Sequence, residues 1–273
     1  MKRENNNLRL LPTDARAALV VAHPGHELMV HRLLEVTKPR VFILTDGSGR
    51  SRQSRLNSTT NILNRACARQ GKIYGRLTDS AGYAAILNHD FDLFIDFARE
   101  LTETFVNERI DFVAGDALEG YNPMHDVCRL VINAAVRVAR RARNHEIANF
   151  DFSLISQPHS SPETTPADEI WLRLDQTALK RKISAAQGYS ELAGEVSNAL
   201  GRTSIEAFRI ERLRAVASDG DNGARHSTVE QPFYEHYGEK QVAAGHYSRV
   251  LRYDEHIAPL AEALSNYAER SAQ

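Results

Sequence analysis

His23-Pro24-Gly25-His26-Glu27 follows directly on the apolar run Ala17-Ala18-Leu19-Val20-Val21-Ala22. The run reads as a buried strand, and Pro24-Gly25 as the turn that ends it. Two imidazoles and a carboxylate are thereby delivered into one short loop. A His-x-x-His spacing lets both rings reach one metal ion when the residues between them turn tightly. In an open α/β sheet such a loop belongs to the crevice beyond the carboxyl ends of the strands, where ligands bind. A loop histidine is also commonly a plain surface or hydrogen-bonded residue, so the spacing needs partners from elsewhere.

Two further apolar runs end in polar residues. Arg40-Val41-Phe42-Ile43-Leu44-Thr45 leads to Asp46 and then Gly47-Ser48-Gly49-Arg50. Ile110-Asp111-Phe112-Val113-Ala114 leads to Asp116, then Glu119-Gly120-Tyr121-Asn122-Pro123-Met124-His125-Asp126. If these strands are parallel to the first, all three loops share one edge. His23, His26 and His125 then supply three neutral nitrogen ligands, the set that leaves a catalytic zinc one open position. The metal would lower the pKa of its water toward ~7 and polarise a carbonyl. Asp46, Asp116 or Asp126 could hold the second ring nitrogens. Each residue has a plainer reading beside this one. Asp46 fits a turn, His125 and Asp126 fit a helix start, and Arg50, Arg52 and Arg55 either grip an anion or face solvent. Tyr234-Glu235-His236-Tyr237 and Gly245-His246-Tyr247 line a sugar-binding rim or bury their rings in a core.

The elements that must position these residues alternate in type. Helices are expected at 26–36, 54–70, 91–108 and 124–143, and a short strand at 73–77. The pattern favours a parallel sheet covered on both faces, an α/β fold. Farther on, strands are expected at 152–156, 170–174 and 207–216, helices at 177–200 and 254–270, and loops at 158–168 and 218–226. The expectation is a single α/β domain over 1–273. Its motif-bearing core spans 1–150, and 151–273 completes the sheet and the substrate rim. The 273 residues are 42% hydrophobic and 25% charged with a formal net charge of −1, which favours neither nucleic acid nor an anionic membrane. No run has the ~20 apolar residues a membrane span needs. The polar start carries no apolar segment of signal-peptide length, and Cys67 and Cys128 read as reduced core residues. A cytoplasmic location is the expectation. Oligomeric state has no signal in the sequence.

Together these motifs resemble the PIG-L/LmbE family of metal-dependent N-deacetylases. Ala22-His23-Pro24-Gly25-His26-Glu27 is similar to that family's Ala-His-Pro-Asp-Asp-Glu. Thr45-Asp46-Gly47 resembles its second turn, Arg55 the arginine of its following helix, and Asn122-Pro123-Met124-His125 its His-Pro-Asp-His. The resemblance covers about residues 17–143. It implies a Rossmann-like fold, mostly parallel with helices on both faces, and zinc-dependent hydrolysis of the acetamide of N-acetylglucosamine conjugates. It implies His23 and His125 as metal ligands. His26 stands where the family has a ligating Asp, so three neutral rings leave the ion's charge uncompensated and its water more acidic. Gly25 stands at the general-base Asp and cannot accept a proton. Asn122 stands at the His that steadies the oxyanion and can donate a hydrogen bond.

The expected function is therefore a Zn2+-dependent hydrolase, another divalent transition metal being equally suited to imidazoles. It would remove an acyl group from an N-acylated amino sugar or related small-molecule conjugate. Asp46, Asn122 and Asp126 are the catalytic candidates, with Asp46 ahead of Asp126 as a relocated base. Arg55, Tyr121 and His246 are the candidates to touch substrate. A relative that binds a sugar or nucleotide-sugar without hydrolysis is the alternative. A metal-free phosphate-binding protein built on Gly47-Ser48-Gly49 is the third reading.

Overall fold

The computed structural model describes residues 15–49, 51–155, 169–217 and 231–271. The expected loops 158–168 and 218–226, and Arg50, lie outside the described residues. Seven strands form one sheet: β1 Ala17–Val21, β2 Arg40–Thr45, β3 Arg69–Leu77, β4 Phe112–Asp116, β5 Ala148–Phe152, β6 Glu169–Arg173 and β7 Ile210–Ala215. Their order is β3-β2-β1-β4-β5-β7-β6. β3, β2, β1, β4 and β5 pair in parallel, while β7 is antiparallel to both β5 and β6. The sheet is thus mostly parallel, as expected.

Strand β1 is apolar at every position because both faces are covered. Ala18, Val20 and Ala22 point with Phe42, Leu44 and Val113 to one core. Helices α3 Asp79–Leu87, α4 Phe91–Asn107, α5 Pro123–Arg143 and α9 Ala258–Arg270 pack on it. Ala17, Leu19 and Val21 point with Val41, Ile43, Phe112 and Phe150 to the other. There α1 His31–Thr37, α2 Leu56–Ala66 and α6 Gln176–Gln187 contribute Leu33, Leu34, Ile62, Leu63 and Ala185. Helices α7 Ala193–Arg202 and α8 Phe233–Ala243 complete the described elements used below.

Several boundaries differ from the expectation, each for a local reason. The helix expected over 26–36 is a short 3-10 turn at His26–Leu28 followed by α1. Side chains from elsewhere take its backbone groups: Lys182 Nζ donates to the Met29 carbonyl, and Glu211 accepts from the Arg32 and Leu33 amides. Helix α2 stops at Ala66, because Cys67 takes a left-handed conformation at φ +57°. Strand β3 is longer than expected but irregular, with register shifts against β2. Strand β5 sits four residues earlier than 152–156, because parallel pairing sets Phe112 against Ala148 and Asp116 against Phe152. Its polar Asn149 and Asp151 hid it, and both are paired, with Arg129 and Arg214. The helix expected at 177–200 breaks after Gln187, and that expected at 254–270 begins with a π turn at Tyr253–Ile257.

Candidate metal centre at the carboxyl edge of the sheet

β1, β2 and β4 run parallel, so the residues after each emerge at one edge. His23 and His26 follow β1, Asp116 ends β4, and His125 lies in the first turn of α5. The three rings meet there. Ring centroids are 5.3 Å apart for His23 and His26, 5.3 Å for His23 and His125, and 4.6 Å for His26 and His125. Three imidazoles on one tetrahedral ion, with Zn–N of about 2.0–2.1 Å, place their centroids about 5 Å apart. His23 Nε2 and His125 Nδ1 are buried with no hydrogen-bond partner. Buried polar atoms normally find one, so each orphan calls for an explanation. Among the described residues, no group of three or more His, Cys, Asp or Glu side chains is placed so that it could hold a metal ion as the side chains stand. The fit therefore rests on the ring spacing and on the two orphaned nitrogens.

Carboxylates hold the opposite ring nitrogens of two of the rings. His26 Nδ1 lies 2.9 Å from Asp116 Oδ2 and 3.0 Å from Oδ1. Asp116 also accepts the Ala22 amide at 2.8 Å, which ties the end of β4 to the end of β1. Burial acts to raise the Asp116 carboxyl, but the charges and bonds of its neighbours, His26 first, hold it below its ordinary value. His23 Nδ1 is 3.0 Å from Asp79 Oδ1 and 2.8 Å from Thr45 Oγ1. Burial opposes ionisation of Asp79 too, yet His23, Thr45 and the Gly49 amide together keep it well below the usual carboxylate range. Burial pushes the His125 imidazole well below its usual value, so that ring is neutral. Carboxylate behind imidazole is the arrangement that fixes a ligating ring's tautomer and raises its basicity.

Asp79 is the site residue that the sequence reading missed, together with α3, which it opens. Thr78 caps that helix by accepting the Ala81 amide. Thr78-Asp79-Ser80 is a start signal in the sequence, but Gly82 interrupts the helical pattern after it.

The remaining candidates divide. Asn122 caps α5: its Oδ1 accepts the Met124 amide at 2.9 Å and the Tyr83 hydroxyl at 3.1 Å. Both bonds engage its side-chain oxygen. Asp46 Oδ1 accepts the Ser48 amide, closing the turn after β2. Asp126 Oδ1 accepts the Glu119 and Gly120 amides and steadies the loop before α5. Arg55 runs alongside the same glycine turn, since a Cβ on Gly47 would lie 3.0 Å from its Cδ. Tyr121 is exposed and stacks on Phe233. His246 is exposed beyond the end of α8, and its amide bonds to Gln241.

Gly25 has φ +105° and donates its amide to Glu27 Oε2 at 2.7 Å. Glu27 is fully buried, and burial pushes its carboxyl up. Thr59 donates to Glu27, and the Thr59 hydroxyl is 2.8 Å from the Tyr189 hydroxyl, so α2 and the segment after α6 brace the histidine loop. A Cβ on Gly25 would lie 2.6 Å from Leu192 Cδ1. Leu192 thus fills the space that a side chain at position 25 would enter.

No family model matches this sequence, and a search of curated proteins finds no match. Solved structures do share its fold. The A40926 pseudoaglycone deacetylase Dbv21 matches with a TM-score of 0.52 at 15% identity, over 76% of this chain and 99% of that one. A deacetylase–teicoplanin complex matches with a TM-score of 0.51 at 12% identity, over 76% and 100%. The zinc-inhibited form of teicoplanin deacetylase Orf2 matches with a TM-score of 0.50 at 11% identity, over 76% and 100%. The resemblance legible in the motifs thereby extends to the architecture: this chain has the α/β fold of these deacetylases, with three imidazoles gathered at one edge of its sheet.

Proposed function

We propose that the protein is a metal-dependent amidohydrolase that removes an acyl group, acetyl first, from an N-acylated amino sugar or a conjugate of one. The observation that supports this most is the trio His23, His26 and His125, with two buried nitrogens unpaired and carboxylates behind two of the rings. Zinc, or another divalent transition ion held by those rings, supplies Lewis-acid polarisation and lowers the pKa of water. The chain's own residues do the rest. Asp79 and Asp116 fix the rings. Asp46 takes the proton from water, because Gly25 offers no acceptor. The Asn122 NH2 steadies negative charge as it grows on the carbonyl oxygen. Arg55 and His246 are assigned to the substrate rim with Tyr121. Acetate release from N-acetylated sugars tests the reading. The Asp46→Asn variant is expected to lose about 10²–10⁴ in rate while keeping its metal. Undiminished release in that variant removes Asp46 from the role.

A second reading has its own support. With Leu192 in the space beside Gly25, a relative that binds the conjugate and does not hydrolyse it is the alternative. Metal and sugar binding without any acetate release from the wild-type protein would favour it.

A further inference from the structure

Arg129, on α5, is among the largest fully buried side chains of the protein. Its Nε donates to the Asp116 carbonyl at 2.6 Å, its Nη1 to Asn149 Oδ1 at 3.0 Å and its Nη2 to the Phe150 carbonyl at 3.0 Å. All three acceptors are neutral oxygens. The carboxylates that act on it at longer range are Asp151, itself bonded to Arg214, and Asp116. Taking a guanidinium out of water is costly, and an apolar side chain of similar volume would fill the same space without that cost. What distinguishes Arg129 from such a filler is its fork of donors, and the fork grips the ends of two neighbouring strands, β4 and β5.

The backbone leaves room for it. Gly115 immediately precedes Asp116, and a Cβ there would run into the Val20 carbonyl and the Ile132 side chain and lie 3.3 Å from Arg129 Nη2. A glycine at this point lets β1, β4 and α5 approach closely. The strand end that Arg129 holds also serves the rings. The Asp116 carbonyl takes Arg129, while its carboxylate takes His26 Nδ1 and the Ala22 amide. Arg129 follows His125 by four residues, so both project from one face of α5. Helix α5 therefore reaches two of the three rings. It supplies His125 directly, and it reaches His26 through Arg129 and Asp116.

We propose that Arg129 is a positioning residue of the candidate metal centre: its guanidinium fixes the end of β4 at Asp116, and Asp116 in turn fixes the His26 ring toward the ion. The assignment rests on the reading of the three rings as metal ligands. It goes past that reading by placing control of one ligand's orientation in a side chain outside the ring cluster. Site groups must be held to within about 0.5 Å of their working geometry, and residues that support a ligand from behind do this holding. Asp116 carries both the carbonyl that Arg129 grips and the carboxylate that orients His26, so releasing one loosens the other.

The test is zinc affinity of the intact protein, by competition with a chromophoric chelator, together with the visible absorption of cobalt(II) bound in place of zinc. Arg129→Met keeps the bulk and removes the fork, and Arg129→Lys keeps the charge on a single donor group. Loss of a group that orients a ligating histidine weakens metal binding by about 10–100-fold. Arg129→Met is expected to weaken zinc binding about tenfold and to change the cobalt spectrum, with a smaller change in Arg129→Lys. In an Asp116→Asn background the same substitutions are expected to add little, because both residues act on His26 by one route. A side chain that only supports the fold would lower stability in urea and leave the affinity and the spectrum of the folded variants unchanged. That result overturns the proposal, and so does a fully additive effect on top of Asp116→Asn. Failure of both variants to fold also overturns it, since Arg129 is then a residue of the fold alone. Unchanged variants of a protein that binds the ion leave the three-ring reading standing, whereas a wild-type protein that binds neither zinc nor cobalt contradicts both.

Discussion

At Gly25 the backbone takes φ +105° and the space beyond Cα belongs to Leu192. A side chain there meets two costs of different origin. The backbone conformation disfavours any L residue by about 1–3 kcal/mol, and the added atoms must displace the tip of the half-buried Leu192 side chain, the smaller cost because that tip can move. Gly25→Asp is therefore expected to lose stability in urea, and Leu192→Ala in the same chain to return only the packing share. A Gly25→Asp protein as stable as the wild type would contradict the geometry. The residue scale also shows what spacing can and cannot reveal. His23 and His26 are legible because they are three apart in one loop. His125 is legible because it follows a second strand end. Asp79 is not legible: it reaches His23 from an element the hydrophobic pattern conceals, across 56 residues of sequence.

Single elements are held by charges that no periodicity reports. Helix α1 starts where Glu211, from β7, accepts the Arg32 and Leu33 amides, and Lys182, from α6, neutralises Glu211 at 2.9 Å. Both side chains are buried. Breaking a buried pair by removing one partner leaves the other charge uncompensated. Lys182→Met is expected to cost about 3–5 kcal/mol by urea unfolding, against well under 1 kcal/mol if the pair were a surface feature. At the β6–β7 edge, Glu169 accepts the Trp171 indole N–H at 2.8 Å and pairs with Arg212. The Arg212 bond, above all, holds its carboxyl below its ordinary value. Its contribution is thus complete above the unfolded carboxylate pKa of about 4.3 and is lost as pH falls through the lower folded value. Stability followed by Trp171 fluorescence, the chain's one tryptophan, should fall on acidification below about pH 4.3 more in the wild type than in Glu169→Gln. Identical acid profiles would show that the pair contributes nothing. The sequence marks most of these elements, but not the ends that depend on such partners: α1, β5 and β7 begin where a distant side chain or a neighbouring strand dictates.

For the molecule as a whole, the α/β alternation and the apolar strands made the doubly covered sheet legible. The antiparallel insertion of β7 between β5 and β6 was not, because strand order depends on pairing rather than on composition. The edge that gathers the site follows from the parallel core alone. β1, β2 and β4 must end together, and so the loops after β1 and β4 must meet. No helix among the described residues is long and apolar enough to cross a membrane. The account turns on whether the rings that meet at this edge share a cation. Elemental analysis of the purified protein, alongside His125→Ala, asks this directly. The expected result is close to one divalent transition ion per chain in the wild type, and its loss from a variant that keeps its circular dichroism. Full metal content in His125→Ala, or a wild-type protein that takes up no ion at saturating zinc, would contradict it.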